Sequence, residues 1–295
     1  MDSPVTVLRR AAESTVIVDA RVPEKHPSAP VLGERRLGVG VAVEPKRVLT
    51  AHYLVMGASS VELSGIDGRP REVLQVQLSH ESGLALLSVD GADLPAVRVS
   101  GGEPVEPGLP VCLLTCGSER ERRGATGHVM AVGPFEAYWE WMLDRAIMTT
   151  IMNPGLAGAP LFDASARLVG LVTLGLGTVG RYSLAIPIEL YLEERERWEA
   201  GTPPRRRAWL GLFPQERGGA LTVTGFYPGS PAEKAGFARL DVILSVEGRP
   251  VSSLRELYEE IWKRGPGDVL GLQILRESAT RRVEVVAGNR YDFFK

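Results

Sequence analysis

Two cysteines, four histidines and 6% aromatic residues are what this 295-residue sequence has little of. Cys112 and Cys116 sit four apart in the apolar run VCLLTC. On a strand that spacing spans about 13 Å, too far for a disulfide, so both read as small buried hydrophobes rather than a redox or metal pair. The histidines, His26, His52, His80 and His128, show no metal-ligand spacing. No nucleotide loop or haem signature appears either, and neither metal nor cofactor is expected. A dominant charge sign is also missing: 34 basic against 36 acidic residues leave a formal charge of −2. That excludes the broad positive field that nucleic acid requires, the cluster Arg205, Arg206, Arg207 being a local exception. No run approaches the roughly 18 consecutive apolar residues of a membrane span. The opening text MDSPVTVLRRAAESTV lacks the apolar centre of a signal peptide. The expectation is a cytoplasmic protein, or an exported one if the sequence is a trimmed mature form.

Hydrophobic residues at 44% and charged residues at 24% describe a globular chain, and 295 residues suit two domains better than one. From residue 5 to about 186 the text is short apolar runs broken by glycine and proline, among them TVIVDARV, LGVGVAVE, RVLTAHYLV, LALLSVD and YSLAIPI. Many short strands between turn residues predict an all-β sandwich or barrel. IPIELYLEERERWEA then switches to helical text, and GTPPRRR over 201–207 reads as a linker, since paired prolines end a helix. Beyond it, GALTVTGFY, DVILSVEG, LGLQILR and RRVEVVAG predict strands. Two helices carry start signals: Ser230-Pro231-Ala232-Glu233 and Ser253-Leu254-Arg255-Glu256 both fit a capping box, and Leu254, Leu257, Tyr258, Ile261 and Trp262 fall on one face.

The order RRLGVGVAVEPKRVLTAHYLV, SGLALLSVD, MNPGLAGAPLFDASARLVGLV, YSLAIPI resembles the trypsin-like protease domain of the HtrA family. WLGLF with TGFYPGSPAEKAGFARLDVILSVEGRPV resembles its C-terminal PDZ domain. The resemblance covers nearly the whole chain. It implies a mainly β protein: a double β-barrel over 1–200, the linker, an α+β PDZ domain over 208–288, and a tail over 289–295. Laid on the family's catalytic motifs, the histidine column holds Tyr53, the aspartate column Gly83 and the serine column Ala157, at separations of 30 and 74 residues. An alanine has no heteroatom for attack, a glycine cannot orient an imidazole, and a phenol titrating near 10 is no general base at neutral pH. Loss of a triad member costs on the order of 10⁴ to 10⁶ in rate. His52, one residue from the histidine column, points elsewhere by a register step. The expectation is therefore a non-enzyme, a pseudoprotease; an engineered change would account for Ala157 but not for Tyr53, Gly83 and Ala159 together.

Two binding features follow from the resemblance. The N–H groups of Gly155 and Ala157 are the remains of an oxyanion loop, either still an anion nest or relaxed. Trp209, Leu210, Gly211 and Leu212 match the carboxylate-binding loop of a PDZ groove, with Leu257 and Ile261 supplying an apolar pocket and core. The groove would hold peptides or protein C-termini. The arginines at 205–207 either draw in an anionic terminus or form a solvated linker. The aromatic segment GPFEAYWEWMLDRAI is, in the resembled family, a regulatory loop that meets the PDZ domain or a neighbouring subunit; its rings form a contact surface or pack under their own loop. Family members form trimers, so a homo-oligomer is expected, with an active HtrA-type relative as a further partner. The functions weighed are a peptide-binding scaffold or regulator, a hydrolase with a rebuilt site, and a structural assembly subunit.

Overall fold

Six strands within the first ninety residues close on themselves: β1 (Thr15–Arg21), β2 (Arg35–Glu44), β3 (Arg47–Ala51), β4 (Ser60–Ser64), β5 (Pro70–Leu78) and β6 (Leu84–Val89), paired in the order β1-β2-β3-β6-β5-β4. The computed structural model describes residues 3–91, 93–101, 104–118, 121–176 and 182–295. Met1 and Asp2, which the sequence assigns to the first domain, lie outside the described residues. Closure buries both ends of the alternation, so Val16, Val18, Val39, Val41, Leu49, Leu63 and Leu86 are all sealed from water.

A second ring follows. β8 (Pro110–Ser118), β9 (Glu121–Ala137), β10 (Trp141–Thr149), β13 (Tyr182–Pro187), β12 (Arg167–Leu176) and β11 (Ala159–Asp163) pair in sequence around the sheet, and β11 pairs back onto β12, with the short β7 (Arg98–Val99) added outside. Leu113, Val129, Ile147, Leu161, Val172 and Ala185 fill it. Cys112 and Cys116 are both free thiols, buried in β8. Helix α1 (Pro4–Ser14) precedes β1 and is capped by the Ser3 side chain; α2 (Ala29–Leu32) precedes β2. A single turn, α3 (His52–Val55), leaves β3. Its orphan carbonyls are met by a buried arginine: Arg36 donates to Tyr53 O at 2.7 Å, Met56 O at 3.0 Å and Gly33 O at 3.1 Å, and to Ser28 Oγ. Helix α4 (Ile188–Glu199) closes the unit, its Glu194 buried and accepting from Ser79 Oγ at 2.6 Å and Arg197 at 3.1 Å.

The chain divides into two units, one of residues up to Pro134 with Leu143–Pro203, the other Pro204–Lys295 joined by Phe135–Met142. The second is a sheet in the order β14 (Leu212–Arg217), β15 (Ala220–Phe226), β16 (Val242–Val246), β18 (Val269–Arg276), β19 (Ala279–Val286), with β17 (Arg249–Pro250) beside β16. Helices α5 (Pro231–Lys234), α6 (Leu254–Ile261) and α7 (Arg290–Phe293) complete it. The N-cap half of each expected box forms: Ser230 Oγ accepts from Glu233 N–H and Ser253 Oγ from Glu256 N–H. The return half shifts by one residue. Glu233 accepts from Gly229 N–H at 2.6 Å and Glu256 from Ser252 N–H at 2.7 Å, because the long carboxylate reaches past the cap. The expected tail also folds: α7 is capped by Asn289 and sets Phe293 and Phe294 on Trp209, with ring centroids 4.6 and 5.5 Å apart.

Candidate functional site

In the first unit, Tyr53 on α3 turns its hydroxyl inward and donates to Thr173 O at 2.8 Å. Burial pushes the phenol up to about 12, the bond to Thr173 pulling the other way. At neutral pH it is a donor fixed in structure. Gly83, at φ +78, accepts from His52 N–H at 2.9 Å through its carbonyl, so columns 53 and 83 meet through backbone. The ring of His52 lies edge-on to His80 at 5.4 Å and to Tyr53 at 6.0 Å. Ala157 O accepts from Val39 N–H at 2.8 Å, which ties the loop after β10 to β2.

That loop is closed locally. Gly155 N–H donates to Asn153 Oδ1 at 3.1 Å, and Asn153 Nδ2 donates to Leu156 O at 3.0 Å. Thr115 Oγ1 donates to the same carbonyl at 2.8 Å, and Leu156 N–H goes to Cys116 O. Of the two alternatives for Gly155 and Ala157, a nest or a relaxed loop, the Gly155 donor matches the second: its N–H is taken by an Asn side chain two residues upstream.

The second unit presents a filled anion site. The N–H groups of Leu210, Gly211 and Leu212 donate to the carboxylate of Glu140 at 3.0, 2.5 and 2.9 Å. Gly211 holds φ +77, and a Cβ there would stand 2.6 Å from Ser230 Cβ and 2.9 Å from the Trp209 ring, so glycine is required. The expected residues split in role. Backbone of 210–212 faces the anion, whereas the side chains of Leu210, Leu212, Leu257 and Ile261 belong to the buried core. Trp209 is corrected from groove residue to core: it is 3% exposed, lies under Phe293 and Phe294, and pairs its backbone with Gly288.

Sequence reasoning missed Glu140 and the residues that hold its segment. Arg255 Nε donates to Glu136 at 2.6 Å; the Tyr258 hydroxyl donates to Ala137 O at 2.6 Å and accepts from Glu140 N–H at 3.2 Å; Arg290 donates to Trp139 O. Tyr138 meets Phe213 edge-on at 5.8 Å, and Met142 packs on the core of the second unit. Burial raises the Glu140 carboxyl above its ordinary value, opposed by Arg290 and by the three N–H donors. The signals in the sequence were aromatic density and the resembled family's regulatory loop at this place, and the rings of 135–142 do pack, Trp139 stacking on Trp141 at 6.4 Å.

Comparison with known proteins agrees with this architecture. Residues 38–171 match the trypsin-like peptidase domain family and residues 208–286 the PDZ domain family. A periplasmic serine endoprotease, DegP-like, of Halomonas elongata is 26% identical over 275 residues, covering 86% of this chain and 57% of the relative. Its counterpart in Ectopseudomonas mendocina is 28% identical over 261 residues, covering 82% and 54%. The chain therefore spans a little over half the length of these curated relatives. Among solved structures, the serine endoprotease from Yersinia pestis has a TM-score of 0.59 at 24% identity, covering 98% of both chains. The HtrA-type protease AlgW with decapeptide has a TM-score of 0.58 at 22% identity, covering 98% of this chain and 99% of the other. At such identity these two speak for the fold. Two expectations are corrected by the relatives' names: that the chain is no enzyme, since the relatives are named serine endoproteases, and that it is cytoplasmic, since they are named periplasmic. A trypsin-like peptidase domain followed by a PDZ domain, with DegP relatives across more than four-fifths of its length, makes this chain a homologue of the DegP/HtrA proteins.

Proposed function

We propose that this HtrA-type chain takes up polypeptide ends at its PDZ domain, acting as a binding scaffold for peptides or protein C-termini. The supporting observation is the convergence of three successive N–H groups, from Leu210, Gly211 and Leu212, on one carboxylate. A peptide would add beside β14 as a strand, its terminal carboxylate held by those donors. The test is nuclear magnetic resonance titration of the full chain with pooled decapeptides bearing randomised last residues. Free-carboxylate peptides are expected to shift the amides of 210–212, and amidated ones to leave them in place. If neither pool moves those amides in excess, the reading is wrong. The periplasmic names of the relatives support a location outside the cytoplasm, which cell fractionation tests. Self-association follows from the HtrA resemblance; a light-scattering mass of one chain would remove it.

A second reading concerns the first unit. The relatives are named serine endoproteases, and half-buried His52 is tied through its backbone N–H to Gly83 O beside the expected columns, with its ring edge-on to His80. Peptide hydrolysis by a site rebuilt around His52 would use the imidazole to take a proton from attacking water and return it to the leaving amine. Ala157 supplies no nucleophile to it. Casein cleavage by the wild type, lost in His52→Ala with unchanged circular dichroism, is the expected result; cleavage indifferent to that substitution sinks this site.

A further inference from the structure

We propose that residues 135–142 are a built-in ligand of the PDZ loop: the side-chain carboxylate of Glu140 stands where a peptide's terminal carboxylate would be held, so an external C-terminus is admitted only when this segment leaves. The inference rests on the reading of 210–212 as the carboxylate site and adds its regulation.

Occupancy is the first argument. All three donors of the loop are already spent on the two oxygens of Glu140, at 2.5 to 3.0 Å. A second carboxylate would find no free donor and would meet a like charge at hydrogen-bond range. The second argument is anchoring. Arg255 holds Glu136, Tyr258 bridges Ala137 O and Glu140 N–H, Arg290 holds Trp139 O, and Tyr138 packs on Phe213. The contacts run along consecutive residues in the manner of a bound peptide, with one difference: the carboxylate is a side chain rather than a chain end.

Reversibility is the third. Glu140 sits at φ +58, a left-handed conformation that costs a non-glycine residue on the order of 1 kcal/mol, and the residue is 1% exposed, so its carboxylate carries a desolvation cost. Both costs vanish when the segment lets go. They oppose the anchors, and the docked state is therefore poised against release. A segment docked about nine-tenths of the time would weaken apparent peptide affinity about tenfold.

The test uses the full chain, with two variants that loosen the segment from different ends. Glu140→Ala removes the internal carboxylate. Tyr258→Phe removes the bridge to Ala137 and Glu140 while keeping the ring that the core needs. Fluorescence polarisation with the free-carboxylate decapeptide pool is expected to show both binding about tenfold or more tightly than wild type, with no gain for amidated peptides. Hydrogen exchange is the second readout: the amides of 210–212 should be protected in the wild type and exchange faster in both variants. Unchanged exchange in both overturns the built-in ligand. Faster exchange with peptide affinity equal to wild type overturns the competition. Faster exchange in both variants with no peptide bound by any form upholds Glu140 as the occupant and instead overturns the uptake of C-termini.

Discussion

A buried carboxylate is tolerated where donors replace its lost water, and Glu140 has three from one loop with Arg290 nearby. The loop in turn depends on Gly211. Replacing it by alanine forces a side chain into φ +77 and against Ser230 and Trp209. Gly211→Ala is expected to cost about 1–3 kcal/mol, read as a lowered urea midpoint; an unchanged midpoint would show that the loop relaxes freely. Tyr53 offers a pH test. Its folded phenol titrates at about 12 against an unfolded value near 10. A raised value means that its share of stability is whole below pH 10 and is lost as pH climbs towards 12. Midpoints of the wild type should therefore fall more over that interval than those of Tyr53→Phe, which itself loses about 1 kcal/mol with the bond to Thr173. Parallel curves would deny the buried phenol that role.

At the scale of elements, short-range signals decide where helices begin. Ser253 caps α6, and Ser253→Ala should cost about 1 kcal/mol of stability, measurable by thermal unfolding, with peptide affinity at the loop as a companion readout since α6 carries Tyr258 and Arg255. No change in melting would mean that Glu256 alone secures the helix start. Other element-level facts are not written locally. Within the charged text of α4, Glu194 is 6% exposed and is met by the hydroxyl of Ser79, more than a hundred residues away. The same holds for α3, whose carbonyls are met by Arg36 from β2.

For the whole molecule, the division between units falls at the paired prolines Pro203 and Pro204, where the composition changes. Arg205 and Arg206 are exposed there, while Arg207 lies over the Trp262 ring at 4.7 Å. Limited trypsin digestion is expected to cut first after Arg205 or Arg206, with mass spectrometry identifying a fragment that runs to Lys295. A first cut inside β14–β19 would contradict an exposed linker. The cysteines belong to this scale too: burial pushes Cys112 up to about 11 and raises Cys116, in keeping with two buried thiols on β8, of which Cys116 packs with Ile17 and Val39 of the first barrel.

What the sequence determined by itself is whatever local chemistry encodes. Strand text punctuated by glycine, serines placed to cap, prolines placed to stop, and a glycine where the carboxylate loop turns left-handed all act within a few residues. What only the tertiary structure decided is which distant groups meet. Glu140 and Leu210 are 70 residues apart, and although the resembled family has a loop here that meets the PDZ domain or a neighbouring subunit, nothing in the text singles out Glu140; the pairing exists because the turn at 138–140 projects one carboxylate onto three donors. Asn153 likewise settles onto the Gly155 N–H in a loop for which the sequence leaves two conformations, and Phe293 and Phe294 cover a tryptophan that reads as a groove residue. In each case the outcome is set by which partner the fold brings within bonding distance of a buried polar or aromatic group, and spacing along the chain carries no record of that.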